Sequence, residues 1–378
     1  MPIYSGRDFG LAQYFVSIRV GTPGQKFIMI VDLGSELTWM KCRYHCGKNC
    51  SRKGRFRRQE GFLADSSSSF RTIPCFSRMC KTDLMNLFSL VACPTPLAPC
   101  AYDYRYLDSS ATKGIFAKET VTLGLGNGRK TRLENVLIGC SNWIQGPSFD
   151  RADGVIGLGY SNYSFTAKAT QNLEGQFSYC LVDHLSHANL SNYLIFGGRR
   201  SRSSLSPNMT YTHLELGIVG AFYAVNVVGI SVGRVRLDIP MEVWDASKGG
   251  GTILDSGSSL TFLGSPAYAP VMAALKRSVS KFKSVVLDGV PMEYCFSSAE
   301  GFSENLVPKL VFHFADGARF QPHVKSYIID AADGVRCIGI VEGKGPGVSI
   351  IGNIMQQNFL WAFHIGKGVV GFAPSTCT

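Results

Sequence analysis

The 378-residue chain contains no run of about 18 consecutive apolar residues, which excludes a membrane-spanning helix. Charge is scarce. Asp, Glu, Lys and Arg make up 17% of the chain against 45% hydrophobic residues, so a disordered, self-repelling polymer is excluded and a sizeable core can be buried. The opening residues Met1-Pro2-Ile3-Tyr4-Ser5-Gly6-Arg7-Asp8 lack the apolar centre of a secretory leader, so any export is expected to depend on a leader outside this chain. No motif for binding nucleic acid occurs. The seven histidines, at 45, 184, 187, 213, 313, 323 and 364, sit in no recognisable triad motif. Asp255-Ser256-Gly257 is preceded by Leu254 and followed by Ser258, which is not the surround of a trypsin-like nucleophile.

Turn formers and cysteine are abundant. Forty-one Gly and 16 Pro are spread along the chain and fit many short strands joined by tight turns. Twelve Cys suggest disulfide staples and an oxidising compartment. Cys42, His45, Cys46 and Cys50 invite comparison with a zinc site, but their spacing is unusual for one, and no metal is expected. Sequons begin at Asn49, Asn162, Asn189 and Asn208 and lend export weak support. The net charge is +11, much of it visible between Arg52 and Arg58 and at Arg199, Arg200 and Arg202. Solvated loops account for these groups, and no nucleic-acid partner is expected.

The chain reads as almost all strand. Tyr14 to Val20 alternates apolar with polar residues, Phe27 to Val31 is a short apolar strand, and Phe222 to Ile230 is another strand run. The best helix signal is Ser265-Pro266 leading into Val271 to Leu275, with Ser265 as N-cap. The most informative feature is an internal repeat. Ile30-Val31-Asp32-Leu33-Gly34-Ser35-Glu36-Leu37-Thr38-Trp39 returns as Ile253-Leu254-Asp255-Ser256-Gly257-Ser258-Ser259-Leu260-Thr261-Phe262, at a spacing of 223 residues. Val155-Ile156-Gly157 returns as Ile350-Ile351-Gly352. Two halves on one plan are therefore expected: residues 1–200 with the first Asp turn, a linker at 201–220, and residues 221–378 with the second turn.

A carboxylate placed after an apolar strand and before a Gly sits at a sharp turn, where a following Ser can hydrogen-bond it. One such turn is ordinary. Two suggest a pseudo-twofold pair, Asp32 and Asp255, supported by Gly34, Ser35, Ser256, Gly257 and Ser258. Two carboxyls that close share one proton. One can then act as general base on a water and the other as general acid toward a carbonyl oxygen. That chemistry hydrolyses a peptide bond without metal, cofactor or covalent intermediate.

These turns resemble those of the pepsin-type aspartic peptidases. So do Ala152-Asp153-Gly154-Val155-Ile156-Gly157-Leu158-Gly159, Phe177-Ser178-Tyr179-Cys180-Leu181-Val182-Asp183 and Ile351-Gly352-Asn353-Ile354-Met355-Gln356-Gln357-Asn358. On them the chain is identified as a member of that family's nepenthesin-like, cysteine-rich plant branch. The resemblance implies a mostly β, bilobal acid-protease fold with a central cleft, polypeptide substrates, an acidic pH optimum, a monomer, and a secretory, extracellular or vacuolar location, with the chloroplast as alternative. It implies a flap at Tyr104 to Gly114, with Tyr106, Asp108 and Ser110 on the flap pattern and Trp39 supporting Tyr106. Leu107 and Ser109 stand where the family commonly has Gly. It also implies a Cys295–Cys337 disulfide and leaves the remaining connectivity open. The main departure is Leu33, where a Thr or Ser is usual. That hydroxyl and the one at Ser256 would tie the two turns together, and Leu33 cannot take part, so reduced activity is expected. An alternative is a binding protein on the same scaffold, as in plant xylanase inhibitors, although both Asp turns are intact here.

Overall fold

The structure, a computed structural model, describes residues 1–7, 11–45, 61–87, 91–125, 128–171, 173, 175–184, 192–197, 209–298, 301–343 and 347–377. Cys46, Cys50, His187, the basic stretch 52–58, the arginines at 199–202 and the sequons at 49, 189 and 208 lie outside the described residues. The architecture is mostly β, as expected, with two compact units. One comprises Met1–Tyr4 and Tyr14–Ala169, the other Ser5–Gln13 and Thr170–Thr378. Among the described residues no helix is long and apolar enough to cross a membrane.

In the first unit, β1 (Tyr14–Val20) pairs antiparallel with β2 (Gln25–Asp32). The first half of β2 alternates, with Lys26 and Ile28 exposed, and its last four residues, Met29, Ile30, Val31 and Asp32, are all buried. β2 is an interior strand, paired on both edges. β1 lies on one side and β7 (Gly154–Gly157) runs parallel to it on the other, with Gly157 opposite Asp32. β3 (Trp39–Arg43) follows the turn and pairs parallel with β6 (Lys130–Gln145). A hairpin of β4 (Ala101–Arg105) and β5 (Ala111–Gly124) projects beside it. Disulfides Cys42–Cys140, Cys75–Cys93 and Cys80–Cys100 staple this unit. The Cys42 sulfur is thereby committed to Cys140 and unavailable to the cysteine cluster considered for zinc.

In the second unit, β8 (Gln176–Cys180) pairs antiparallel with Phe359–His364, and Cys180 is bonded to Cys377. These contacts hold β8 within the second unit. Phe177 stacks on Phe363 at 4.6 Å, and Tyr223 packs on Phe363 at 4.9 Å. The run from Phe222 to Ile230 is two strands rather than one. β9 (Tyr223–Val225) and β10 (Val227–Val232) belong to different sheets and break at Asn226, whose carbonyl accepts from the Ala315 N–H. β11 (Thr252–Leu254) leads to the second Asp turn, β12 (Thr261–Gly264) leaves it, and α1 (Ser265–Val279) follows. Gly264, not Ser265, is the N-cap of α1, and Ser265 is already helical. β13 (Ser349–Ile351) runs parallel to β11, and the short α2 (Asn353–Gln356) follows it. Cys295 and Cys337 form a disulfide across antiparallel strands.

Candidate active site

Asp32 ends β2, and its side chain is only 6% exposed. The chain turns at Gly34, whose N–H donates to Asp32 Oδ1 at 2.9 Å, while the Ser35 hydroxyl donates to Oδ2. The turn is held from behind. The Leu158 N–H donates to the Asp32 carbonyl and the Gly159 N–H to the Ser35 carbonyl, each at 2.8 Å. The Gly157 N–H donates to Thr38 Oγ1 at 3.1 Å. A Cβ at Gly157 would come within 2.6 Å of the Glu36 backbone, so only glycine permits this approach.

The second unit repeats the device. Asp255 follows β11 and is 7% exposed. The Gly257 N–H donates to Oδ1 at 2.7 Å, and the Ser258 hydroxyl donates to Oδ2 at 2.6 Å. The Gly352 N–H donates to Thr261 Oγ1 at 3.3 Å, and a Cβ at Gly352 would overlap the Leu260 carbonyl. The Asn353 amide donates to the Ser256 carbonyl at 3.0 Å, and the Gln356 amide to the Asp255 carbonyl at 3.2 Å. Tyr179 donates to the Gln356 side-chain oxygen. Burial, with Asp255 nearby, pushes the Tyr179 hydroxyl well above its ordinary value, so it stays a donor.

The residues after the two Asp are both sealed in. Leu33 is 0% exposed and Ser256 is 1% exposed. They occupy equivalent places in the two turns with opposite chemistry.

The β4–β5 hairpin carries the residues expected to form a flap. Trp39 Nε1–H donates to the Tyr106 hydroxyl at 2.6 Å. Burial first, and the Asp32 charge second, push the Tyr106 hydroxyl well above its usual value. At the hairpin tip, Leu107 is 84% exposed, and Ser109 takes a left-handed φ of 69°. Asp108 braces the tip. Its Oδ1 accepts the Ser110 N–H, and its Oδ2 accepts both the Ser110 and Ser148 hydroxyls. Gly114 lets β5 approach Cys140, whose carbonyl a Cβ would strike.

The first unit therefore gathers Asp32, Gly34 and Ser35 in one hydrogen-bonded turn, sets the Trp39–Tyr106 pair where the Asp32 charge acts on it, and places Asp108 and Ser110 at the hairpin tip. The second gathers Asp255, Ser256, Gly257 and Ser258. Sequence reasoning passed over four contributors. Thr38 and Thr261 stood in the repeat as identities without a role. Gln356 lay in a family motif. Glu36 was visible as a break in the repeat, since its counterpart is Ser259. The Glu36 carboxyl accepts from the Tyr104 hydroxyl at 2.9 Å. Burial raises it above the ordinary carboxyl value, and the Tyr104 bond opposes that shift.

Residues 14–198 match a family described as xylanase inhibitor N-terminal, and residues 222–374 one described as xylanase inhibitor C-terminal. The chain is 30% identical over 373 residues to aspartic proteinase nepenthesin-1 of Nepenthes gracilis, covering 97% of this chain and 79% of that protein. It is 32% identical over 380 residues to aspartyl protease family protein 2 of Arabidopsis thaliana, covering 99% and 73%. The crystal structure of basic 7S globulin from soybean matches with a TM-score of 0.75 at 18% identity, over 100% of this chain and 94% of that one. At that identity the likeness shows the fold alone.

Proposed function

Because this chain belongs to the nepenthesin-like plant branch of the pepsin-type aspartic peptidases, we propose that it is an aspartic endopeptidase in which Asp32 and Asp255 together activate one water. The observation that carries the reading is the duplicated turn. Each buried carboxylate receives a backbone N–H on Oδ1 and a Ser hydroxyl on Oδ2. In the proposed reaction the two carboxyls share a single proton. The ionised one takes a proton from water as the oxygen attacks the peptide carbonyl. The protonated one gives its proton to the carbonyl oxygen, forming a neutral gem-diol. A diol proton then returns to one carboxylate, the other carboxyl protonates the amine, and the C–N bond breaks. The dyad must carry one proton throughout, so activity is expected in the acidic range. Tyr106 belongs to this reading as the flap residue that covers substrate, and Trp39 as its support.

The reading brings further expectations with it. They are lobes at 1–200 and 221–378 joined by 201–220, polypeptide substrates, a monomer, and the secretory route, which the disulfides favour. The test is cleavage of a denatured protein between about pH 3 and pH 6, with and without pepstatin. Asp32→Asn and Asp255→Asn should each be inactive, and full activity in either variant overturns the assignment. A second reading, a binding protein with weakened catalysis, draws on Leu33, which is buried where a cross-bracing hydroxyl is usual. Binding without pepstatin-sensitive cleavage would favour it.

A further inference from the structure

One carboxyl in the Asp32 turn has no part in that reaction. Glu36 lies four residues beyond Asp32, partly exposed, and the second turn has Ser259 in its place. Tyr104 reaches it from β4, and Tyr104 packs edge-on against the flap Tyr106 at 5.1 Å. The carboxyl thus sits between the catalytic turn and the base of the flap. Its partners are the Tyr104 hydroxyl and its own backbone N–H, which leave part of its acceptor capacity unused. Tyr104 and Tyr106 from the hairpin and Asp32 from the turn bear on the pair, and among the described residues no ion pair to Glu36 is formed. A half-buried carboxylate with no cation is poorly compensated, and a cation that reached it would relieve that cost. Burial raises this carboxyl, as expected for such a place.

We propose that Glu36, held by Tyr104, is a specificity-determining residue that forms the acidic side of a subsite next to Asp32 and takes a Lys or Arg side chain of a bound peptide. This inference rests on the peptidase reading. The competing role for the pair is purely structural, an anchor for the flap base, and charge separates the two. Glu36→Gln keeps an amide oxygen for Tyr104 and loses only the negative charge.

The probes are uncleavable peptides with statine at the scissile position, identical except for Lys or norleucine at one position, scanned over the residues on either side. Affinity is read by calorimetry near pH 6. At one position the Lys peptide should bind the wild-type protein roughly tenfold more tightly than its norleucine twin, as for a hydrogen bond to a charged group. That ratio should fall to about one in Glu36→Gln. In Tyr104→Phe the preference should persist while both affinities shift together. Equal binding of the two peptides at every position, or a preference that survives Glu36→Gln, overturns this inference and leaves the peptidase reading standing. If neither peptide binds and no protein substrate is cleaved, the peptidase reading falls and takes this one with it.

Discussion

Replacing Leu33 by Thr sets core packing against a hydroxyl brace, and the balance can be worked from burial. Leu33 is 0% exposed, so its side chain contributes about 1.5–3 kcal/mol through removal from water. Threonine keeps about half of that apolar volume. The packing loss is therefore about 1–2 kcal/mol, below the range of roughly 2–5 kcal/mol for Leu→Ala. A buried hydroxyl without a partner would add about 1–3 kcal/mol of destabilisation. Leu33→Val makes the same volume change without a hydroxyl, so the difference between the Thr and Val variants isolates the oxygen. If the hydroxyl finds the partner that the family resemblance implies, Leu33→Thr should be at least as stable as Leu33→Val by guanidinium midpoint. Its kcat/KM should exceed wild type by about tenfold or more, since small misplacement of reacting groups costs large factors in rate. A Thr variant with intact disulfides that is about 1–3 kcal/mol less stable than the Val variant, and no faster than wild type, would refute the brace argument.

Thr38→Val and Thr261→Val each strip the acceptor from a buried glycine N–H, at Gly157 and Gly352 respectively. Each should lower stability by about 1–3 kcal/mol and reduce kcat/KM, with Ser replacements retaining most of both. Trp39→Phe removes the donor to Tyr106, and Tyr106→Phe removes its acceptor. Each should cut kcat/KM by about fivefold or more, and the double variant should be no worse than the poorer single one, because both break one bond. Ser109→Val puts a β-branched residue at a φ of 69° and should cost about 1–2 kcal/mol, seen also as faster amide exchange at the flap tip. Burial holds His184 below its ordinary value of 6.5. The unfolded state therefore binds the extra proton first, and the stability that depends on neutral His184 is present above about pH 6.5 and lost as pH falls below it. His184→Asn should flatten that part of a stability–pH curve measured by denaturant titration.

The strands and both Asp turns were legible in the residues themselves, because a strand announces itself by period and a turn by Gly and Ser. The repeat told more than either, since identical spacing around Asp32 and Asp255 has no local cause. Boundaries were less visible. Nothing in Phe222 to Ile230 marks the break at Asn226, because strand propensity does not say which neighbour a strand will pair with. Ser265 and Pro266 signalled the start of α1, but the cap fell one residue earlier because backbone geometry, not side-chain preference, decides where helical φ and ψ begin.

The sequence by itself determined the mostly β character, the two matched carboxylate turns and the anomaly at Leu33. Tertiary structure alone decided that β8 pairs with Phe359–His364, which of the described cysteines pair in the first unit, and that Thr38 and Thr261 serve the glycines of distant strands. It also decided that Glu36 meets Tyr104. The physical reason is range. Periodicity and turn chemistry act within a few residues, whereas Thr38 finds Gly157 across 119 residues and Glu36 finds Tyr104 across 68, and only packing of the whole unit brings such groups within hydrogen-bond reach.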